Sequence, residues 1–365
     1  MSETRGPAAP ERATMRVRVR PEVLSLPRYA PGRSAPGAAK LSSNESAEPP
    51  SSAVIEAATQ ALAGINRYPD FGATALTQTL ARSLGVQEDQ VVLGDGSSAV
   101  LLDALSVVCR PGAEVIHPWR SFESYPIAIP AVGATGVAVA LTAEGRHDLP
   151  ALVAAVGPDT AAIILCTPNN PTGPALTLEE VRSVLEAVPP EVLVLVDEAY
   201  IELATAPGVS TAVPLIAEFP NVLVLRTFSK VHALAGLRVG YGVGHPDLVG
   251  AIRAISVPFG VSSVAQAAAL ASLRDEDVLR ARIADMVAER DRLRGELVSM
   301  GYEVPETQSN FLWIPAFQSG PGLVAACAEA GLLVRPFPEG VRVSTGTREQ
   351  DDRFLDVARA HIATL

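Results

Sequence analysis

Three apolar runs stop at polar residues at a regular interval, and that rhythm limits the folds open to the chain. "AAIILC" closes at Cys166, "VLVLVD" at Asp197 and "VLVLR" at Arg226. The ends lie roughly thirty residues apart, the length of a strand–helix–strand unit. Continuous rather than alternating apolar runs suit parallel strands covered on both faces. Between the first two runs "TLEEVRSVLEAV" has helical spacing, with Thr177 placed as N-cap and Glu180 three residues on. "QVVLGDGSS", "AVLLDALSVVC" and "AEVIHP" extend the alternation upstream. The fold class is therefore α/β, a mostly parallel, doubly wound sheet.

After about residue 255 the pattern changes. A long amphipathic stretch, "DVLRARIADMVAERDRLRGELVSMG", ends at Gly301, where a helix should stop. Short strands "SNFLWI", "LLVRP" and "VRVST", a helix "GLVAACAEAG" and a last helix near 349–364 follow. These read as a smaller α+β domain. At 365 residues the chain exceeds one compact core. The expected organisation is a disordered tail over 1–15, an N-terminal arm over 16–44 joining the small domain, a large domain over 45–255 and a small domain over 256–365.

Composition narrows the function. The net charge is −11 and the one basic cluster, "RVRVR" at 16–20, alternates like the start of a fold, so nucleic acid is not an expected partner. Residues 124–143 carry no charge, but Pro126, Pro130, Gly133 and Gly136 break them into a helix and a strand, not a membrane span. No apolar segment of secretory type opens the chain. Cys109, Cys166 and Cys327 are isolated in apolar surroundings, as free thiols of the cytoplasm are. The 5 histidines show no metal-ligand spacing.

The strand ends carry the chemistry, because open α/β sheets bind ligands there. "GDGSS" at 94–98 precedes a helix and can present backbone N–H groups to a phosphate. It lacks the lysine of a nucleoside-triphosphate loop. "GYGVG" at 240–244 opens no helix and is set aside as a dinucleotide site. "TPNNPTG" at 167–173 is a rigid turn that presents Asn169 or Asn170. Asp197, in "DEAY", follows five apolar residues and needs a cationic partner, either an arginine or a protonated heterocycle. "RTFSK" ends at Lys230, one of two lysines against 27 arginines. Arginine stays protonated, whereas lysine can lose its proton and act as an amine nucleophile. A phosphate cradle, a buried carboxylate, an amide, a tyrosine and a lone lysine together match what pyridoxal 5'-phosphate requires.

These motifs recur in order in a known family. "LSSNES", "NRYPD", "WRSFESYP", "PNNPTG", "DEAY", "RTFSK", "ALAGLRVGY", "VPFGVSS" and "VRVSTGT" make the chain resemble, from about 20 to 360, the pyridoxal-phosphate-dependent aminotransferases of fold type I. Within them it is similar to the histidinol-phosphate aminotransferase branch and to the bacterial aromatic amino acid aminotransferases inside it. The resemblance implies that Lys230 bonds covalently to the cofactor and Asp197 pairs with its pyridine nitrogen. Asn170 and Tyr200 would contact the ring oxygen. Ser97, Ser98, Thr227, Ser229 and Arg238 would hold the phosphate, and Phe122 would stack on the ring. Tyr68 would reach the partner's site in a homodimer. Arg342 would hold the substrate's carboxylate or phosphate, with Tyr29, Asn310 and Arg335 as further substrate residues. Ser98, Val231 and His232 depart from the family's usual residues. "WRSFE", in place of the Pro-Thr of many histidinol-phosphate enzymes, together with "VPFGVSS", favours aromatic amino acids with 2-oxoglutarate as acceptor. Histidinol-phosphate transamination is the nearest alternative, and a lyase of the same fold, such as a threonine-phosphate decarboxylase, is a further one.

Overall fold

The computed structural model describes residues 17–27, 32 and 35–365. The tail expected over 1–15 and Tyr29 lie outside the described residues. The strands are β1 Ala39–Leu41, β2 Val91–Gly94, β3 Glu114–Trp119, β4 Thr135–Ala140, β5 Thr160–Cys166, β6 Leu193–Asp197, β7 Val222–Thr227, β8 Gly240–Gly244, β9 Phe311–Pro315, β10 Leu332–Phe337 and β11 Gly340–Ser344. They form a 7-stranded sheet, order β2-β8-β7-β6-β5-β3-β4, and a 4-stranded sheet, order β1-β10-β11-β9.

Within the larger sheet β3 to β7 pair in parallel. β8, the "GYGVG" segment, runs antiparallel to both β2 and β7. The apolar runs are continuous because successive side chains serve opposite cores. Ile163, Leu165, Val194, Val196, Val222 and Val224 enter one hydrophobic cluster. Their neighbours Ile164, Leu193, Leu195, Leu223 and Leu225 enter the other. Helices close both faces, among them Ser97–Val108 and Leu178–Ala187, the latter with the Thr177–Glu180 capping box the spacing predicted.

The uncharged stretch at 124–143 is the helix Tyr125–Ala131 followed by β4. No helix among the described residues is long and apolar enough to cross a membrane. Residues 17–20 form no strand. Arg20 instead donates to the Ala131 carbonyl at 2.5 Å, just before the short helix Pro21–Leu24.

β1 pairs in parallel with β10, so the chain before residue 42 contributes to the smaller sheet. The helix Ser263–Arg274, by contrast, places Ala265, Ala268 and Ala269 in the core of the larger sheet, packed on the helix Ser52–Leu62. On this packing we propose a domain boundary near residue 275, where the sequence pattern suggested 255. The long helix Glu276–Ser299 then leads to the smaller domain, whose core holds Leu293, Leu297, Leu323, Phe354 and Leu355. Gly301 follows it with a φ of 99°, a left-handed position that glycine adopts without strain.

Candidate active site

The carboxyl ends of β5, β6 and β7 converge on a cavity of about 310 Å³ that also takes in residues of β10 and β11. Ser97, Ser98, Phe122, Asn170, Asp197, Tyr200, Thr227, Ser229, Lys230, Arg238, Arg335 and Arg342 all line it. Asn310 and Tyr68 do not.

Lys230 sits just past β7. Its Nζ donates to the Ser43 carbonyl at 3.4 Å and lies 5.6 Å from the Tyr200 ring centroid. Burial, then the cations of Arg342 and Arg238, lower its pKa to about 8, against the opposing charges of Glu45 and Asp197. The amine is therefore within reach of its neutral form near physiological pH. The two departures after it are structural. Val231 is fully buried, and His232 shares a hydrogen bond of 2.8 Å between Nδ1 and Ser272 Oγ. Burial lowers His232 to about 4, so it stays neutral and ties the lysine loop to the helix Ser263–Arg274.

Among the described residues Asp197 has no arginine partner. Its Oδ2 accepts from Tyr125 Oη at 2.8 Å, while Oδ1 is buried without a hydrogen-bond partner among the described residues. Burial raises its pKa, and the hydrogen bonds of Tyr125 and the Ala199 N–H oppose that rise. A buried carboxylate oxygen left open in a cavity calls for a cationic or N–H ligand.

A cradle lines the same cavity. Gly96, with a φ of 86°, precedes the helix Ser97–Val108, whose first N–H groups point out of the helix end. A Cβ on Gly96 would sit 2.6 Å from Arg238 Nη2, so glycine is what lets the guanidinium approach. Thr227 Oγ1 and Ser229 Oγ lie 3.0 Å apart at the end of β7. This set has the donors and the charge for a phosphate, and the open Asp197 oxygen suits the far end of a pyridine ring. The residues thus fit pyridoxal phosphate.

The turn after β5 separates its two asparagines. Asn169 is held inside, accepting from Ser121 Oγ at 2.7 Å and donating to Thr172 Oγ1 at 2.7 Å. Asn170 faces the cavity, where its Oδ1 accepts from Arg342 Nη1. Arg342 also donates to the Ser42 carbonyl at 2.7 Å. Tyr200 Oη accepts from Asn44 Nδ2 at 2.9 Å. Asn310 lies beneath this turn, its Nδ2 donating to the Asn44 carbonyl at 3.2 Å. Tyr68 stands 81% exposed on the outer surface, its ring 4.6 Å from that of Phe259.

Asn44, Tyr125 and Glu123 are site residues the motifs did not single out. Asn44 has a φ of 54°, an uncommon conformation that marks its turn only once the backbone is known.

Residues 37–357 match the family model "Aminotransferase class I and II". The chain belongs to this family. The aminotransferase is 48% identical over 342 residues to a Thermobifida fusca protein named aromatic amino acid aminotransferase, covering 92% of this chain and 95% of that one. It is 44% identical over 350 residues to a Rhodococcus erythropolis protein of the same name, covering 96% and 97%. Among solved structures, the histidinol-phosphate aminotransferase of Sinorhizobium meliloti in complex with pyridoxal-5'-phosphate superposes with a TM-score of 0.87 at 28% identity, over 95% of this aminotransferase and 98% of that chain. An aspartate aminotransferase variant of Thermus thermophilus, at 22% identity, shares the fold with a TM-score of 0.82. The mostly parallel sheet with its smaller domain is the fold of these enzymes.

Proposed function

We propose that this aminotransferase transfers the amino group of phenylalanine, tyrosine or tryptophan to 2-oxoglutarate, using pyridoxal phosphate. The name shared by relatives 44–48% identical over more than nine-tenths of the chain carries the aromatic reading. The cofactor, when bound, supplies an aldehyde for the amino group and a ring that takes up the electron pair left on the substrate carbon.

The chain's own residues have these tasks. Lys230 would anchor the cofactor, and its amine would carry the substrate's α-proton on Nζ and return it; its lowered pKa suits that task. Asp197, with Oδ1 open, would accept from the ring N–H and favour its charged form. Tyr200 Oη and the Asn170 amide serve the ring oxygen. Ser97, Ser98, Thr227, Ser229 and Arg238 hold the phosphate, and Phe122 packs on the ring. Arg342 orients the substrate's α-carboxylate.

The working form is proposed to be a homodimer of the cytoplasm, with Tyr68 of the partner subunit completing each site. The exposed aromatic group of Tyr68, Phe71 and Phe259 supports the dimer, because an exposed apolar cluster asks for cover.

The decisive comparison is kcat/KM for phenylalanine against histidinol phosphate, each with 2-oxoglutarate. Phenylalanine is expected to be the better donor by at least tenfold. A preference for histidinol phosphate would replace this reading with the alternative that the Sinorhizobium meliloti structure suggests. Carbon dioxide release without oxo-acid formation would replace it with the lyase.

A further inference from the structure

β10 and β11 pair Arg335 directly opposite Arg342, and both side chains line the cavity. Like charges directly opposite on neighbouring strands repel, so the pair needs counter-charge. Arg342 donates to Asn170 Oδ1 and the Ser42 carbonyl. Arg335 meets a full charge, its Nη2 donating to the two oxygens of Glu123 at 2.9 and 2.8 Å. Glu123 comes from the other domain, in the loop that also carries Phe122. The Phe337 ring centroid lies 5.7 Å from both guanidinium carbons. This part of the cavity thus sets two guanidinium groups beside an aromatic wall, and Arg335 is neutralised by a carboxylate of the protein itself.

Transamination passes two unlike substrates through one cavity. An aromatic amino acid brings a single carboxylate and an apolar side chain, whereas 2-oxoglutarate brings a second carboxylate. We infer that Glu123 is a specificity-determining residue, the internal counter-ion that stays on Arg335 for an apolar side chain and yields it to a distal carboxylate. The inference rests on the proposed aromatic reading and adds to it how one pocket accepts both partners. Glu123 can yield because its side chain is 30% exposed, against 11% for Arg335, so it can turn to water while the arginine stays. While Glu123 stays on Arg335, a phosphate of about −1.5 to −2 charge meets more repulsion than a carboxylate.

The test uses the holoenzyme and two competitive probes, glutarate for the dicarboxylate and 3-phenylpropionate for the apolar acid. Glu123→Gln is expected to tighten glutarate roughly tenfold, as expected when an acceptor no longer competes for a charged donor. It should weaken 3-phenylpropionate and raise kcat/KM for histidinol phosphate relative to phenylalanine. Glu123→Asp, which keeps the charge, should hold the two inhibition constants near the wild-type ratio. An unchanged ratio in Glu123→Gln, or a ratio in Glu123→Asp that moves as far, would overturn the inference. Failure of the underlying reading shows separately, as a wild-type enzyme that prefers histidinol phosphate whatever the variants do.

Discussion

The role proposed for Lys230 needs a neutral amine, and its surroundings decide when that form is present. Burial and the Arg342 cation bring its pKa down to about 8 from 10.5. The neutral amine then predominates above about 8, so capture of pyridoxal phosphate by the apoenzyme should quicken as pH rises from 6.5 and level off above about 8. Stopped-flow absorbance can follow it. Arg342→Met removes one lowering cation, and the midpoint should move to higher pH; an unmoved midpoint would separate the two residues. Tyr125 deserves a parallel experiment because it holds the other end of the same chemistry. Its hydroxyl is the donor to Asp197 Oδ2 and helps keep a buried carboxyl ionised. Hydrogen bonds to charged groups contribute about 1.5–3 kcal/mol, so Tyr125→Phe should weaken pyridoxal phosphate binding by roughly tenfold or more. Equilibrium fluorescence titration of the apoenzyme measures this directly, and equal affinities would reduce Tyr125 to packing.

At the scale of elements, β8 explains its glycines. A Cβ on Gly240 would lie 2.3 Å from the Ser97 backbone nitrogen and 2.8 Å from the Gly96 carbonyl carbon. Backbone cannot give way as a flexible side chain can, so Gly240→Ala must push the phosphate cradle off the sheet. The expected cost is about 1–3 kcal/mol of stability with a clear loss of cofactor affinity, read by thermal melts with and without pyridoxal phosphate. The helix Arg348–Ile362 supplies a pH-dependent counterpart. Burial raises the pKa of Asp351 to about 8, and neighbouring Glu289 adds to the rise while the Gly346 N–H opposes it. A carboxyl that holds its proton more tightly when folded loses stability as pH rises from about 4 to about 8. Asp351→Asn should therefore melt higher than wild type at pH 8 and approach it as pH falls to about 4, and parallel pH profiles would contradict this. What the sequence made legible follows the same physics. Strands buried on both faces write continuous apolar runs, and their ends fall where Cys166, Asp197 and Thr227 stand. Lys230 was visible because arginine fills nearly every other basic position. Glu123 stood inside the "WRSFE" motif, but its pairing was not legible, since its partner Arg335 lies 212 residues away. Asn44 depends on a left-handed turn, and Tyr125 on a helix that looks like any apolar segment. The antiparallel run of β8 and the allegiance of the helix Ser263–Arg274 are tertiary facts that local pattern does not encode.

The whole molecule presents its last question at the surface. Tyr68, stacked on Phe259, which Phe71 meets edge-on, stands apart from the cavity that holds Lys230 in the same chain. If Tyr68 served only its own subunit, it would be an exposed aromatic with no task. If it completes the site of a second copy, each cavity needs residues from two chains, and mutations in different chains must complement. Tyr68→Ala should leave light-scattering mass dimeric but lower turnover, because the lost contact is one hydroxyl-bearing ring at the cofactor. Lys230→Ala should abolish turnover outright. Neither homodimer contains an unaltered site, yet a mixed dimer contains one: Lys230 from the Tyr68→Ala subunit facing Tyr68 from the Lys230→Ala subunit. Refolding the two variants together should restore activity above that of either alone, while each refolded separately should not gain. A monomeric mass, or a mixture no more active than its parts, would confine Tyr68 to its own chain and return the exposed aromatic cluster to an unassigned surface.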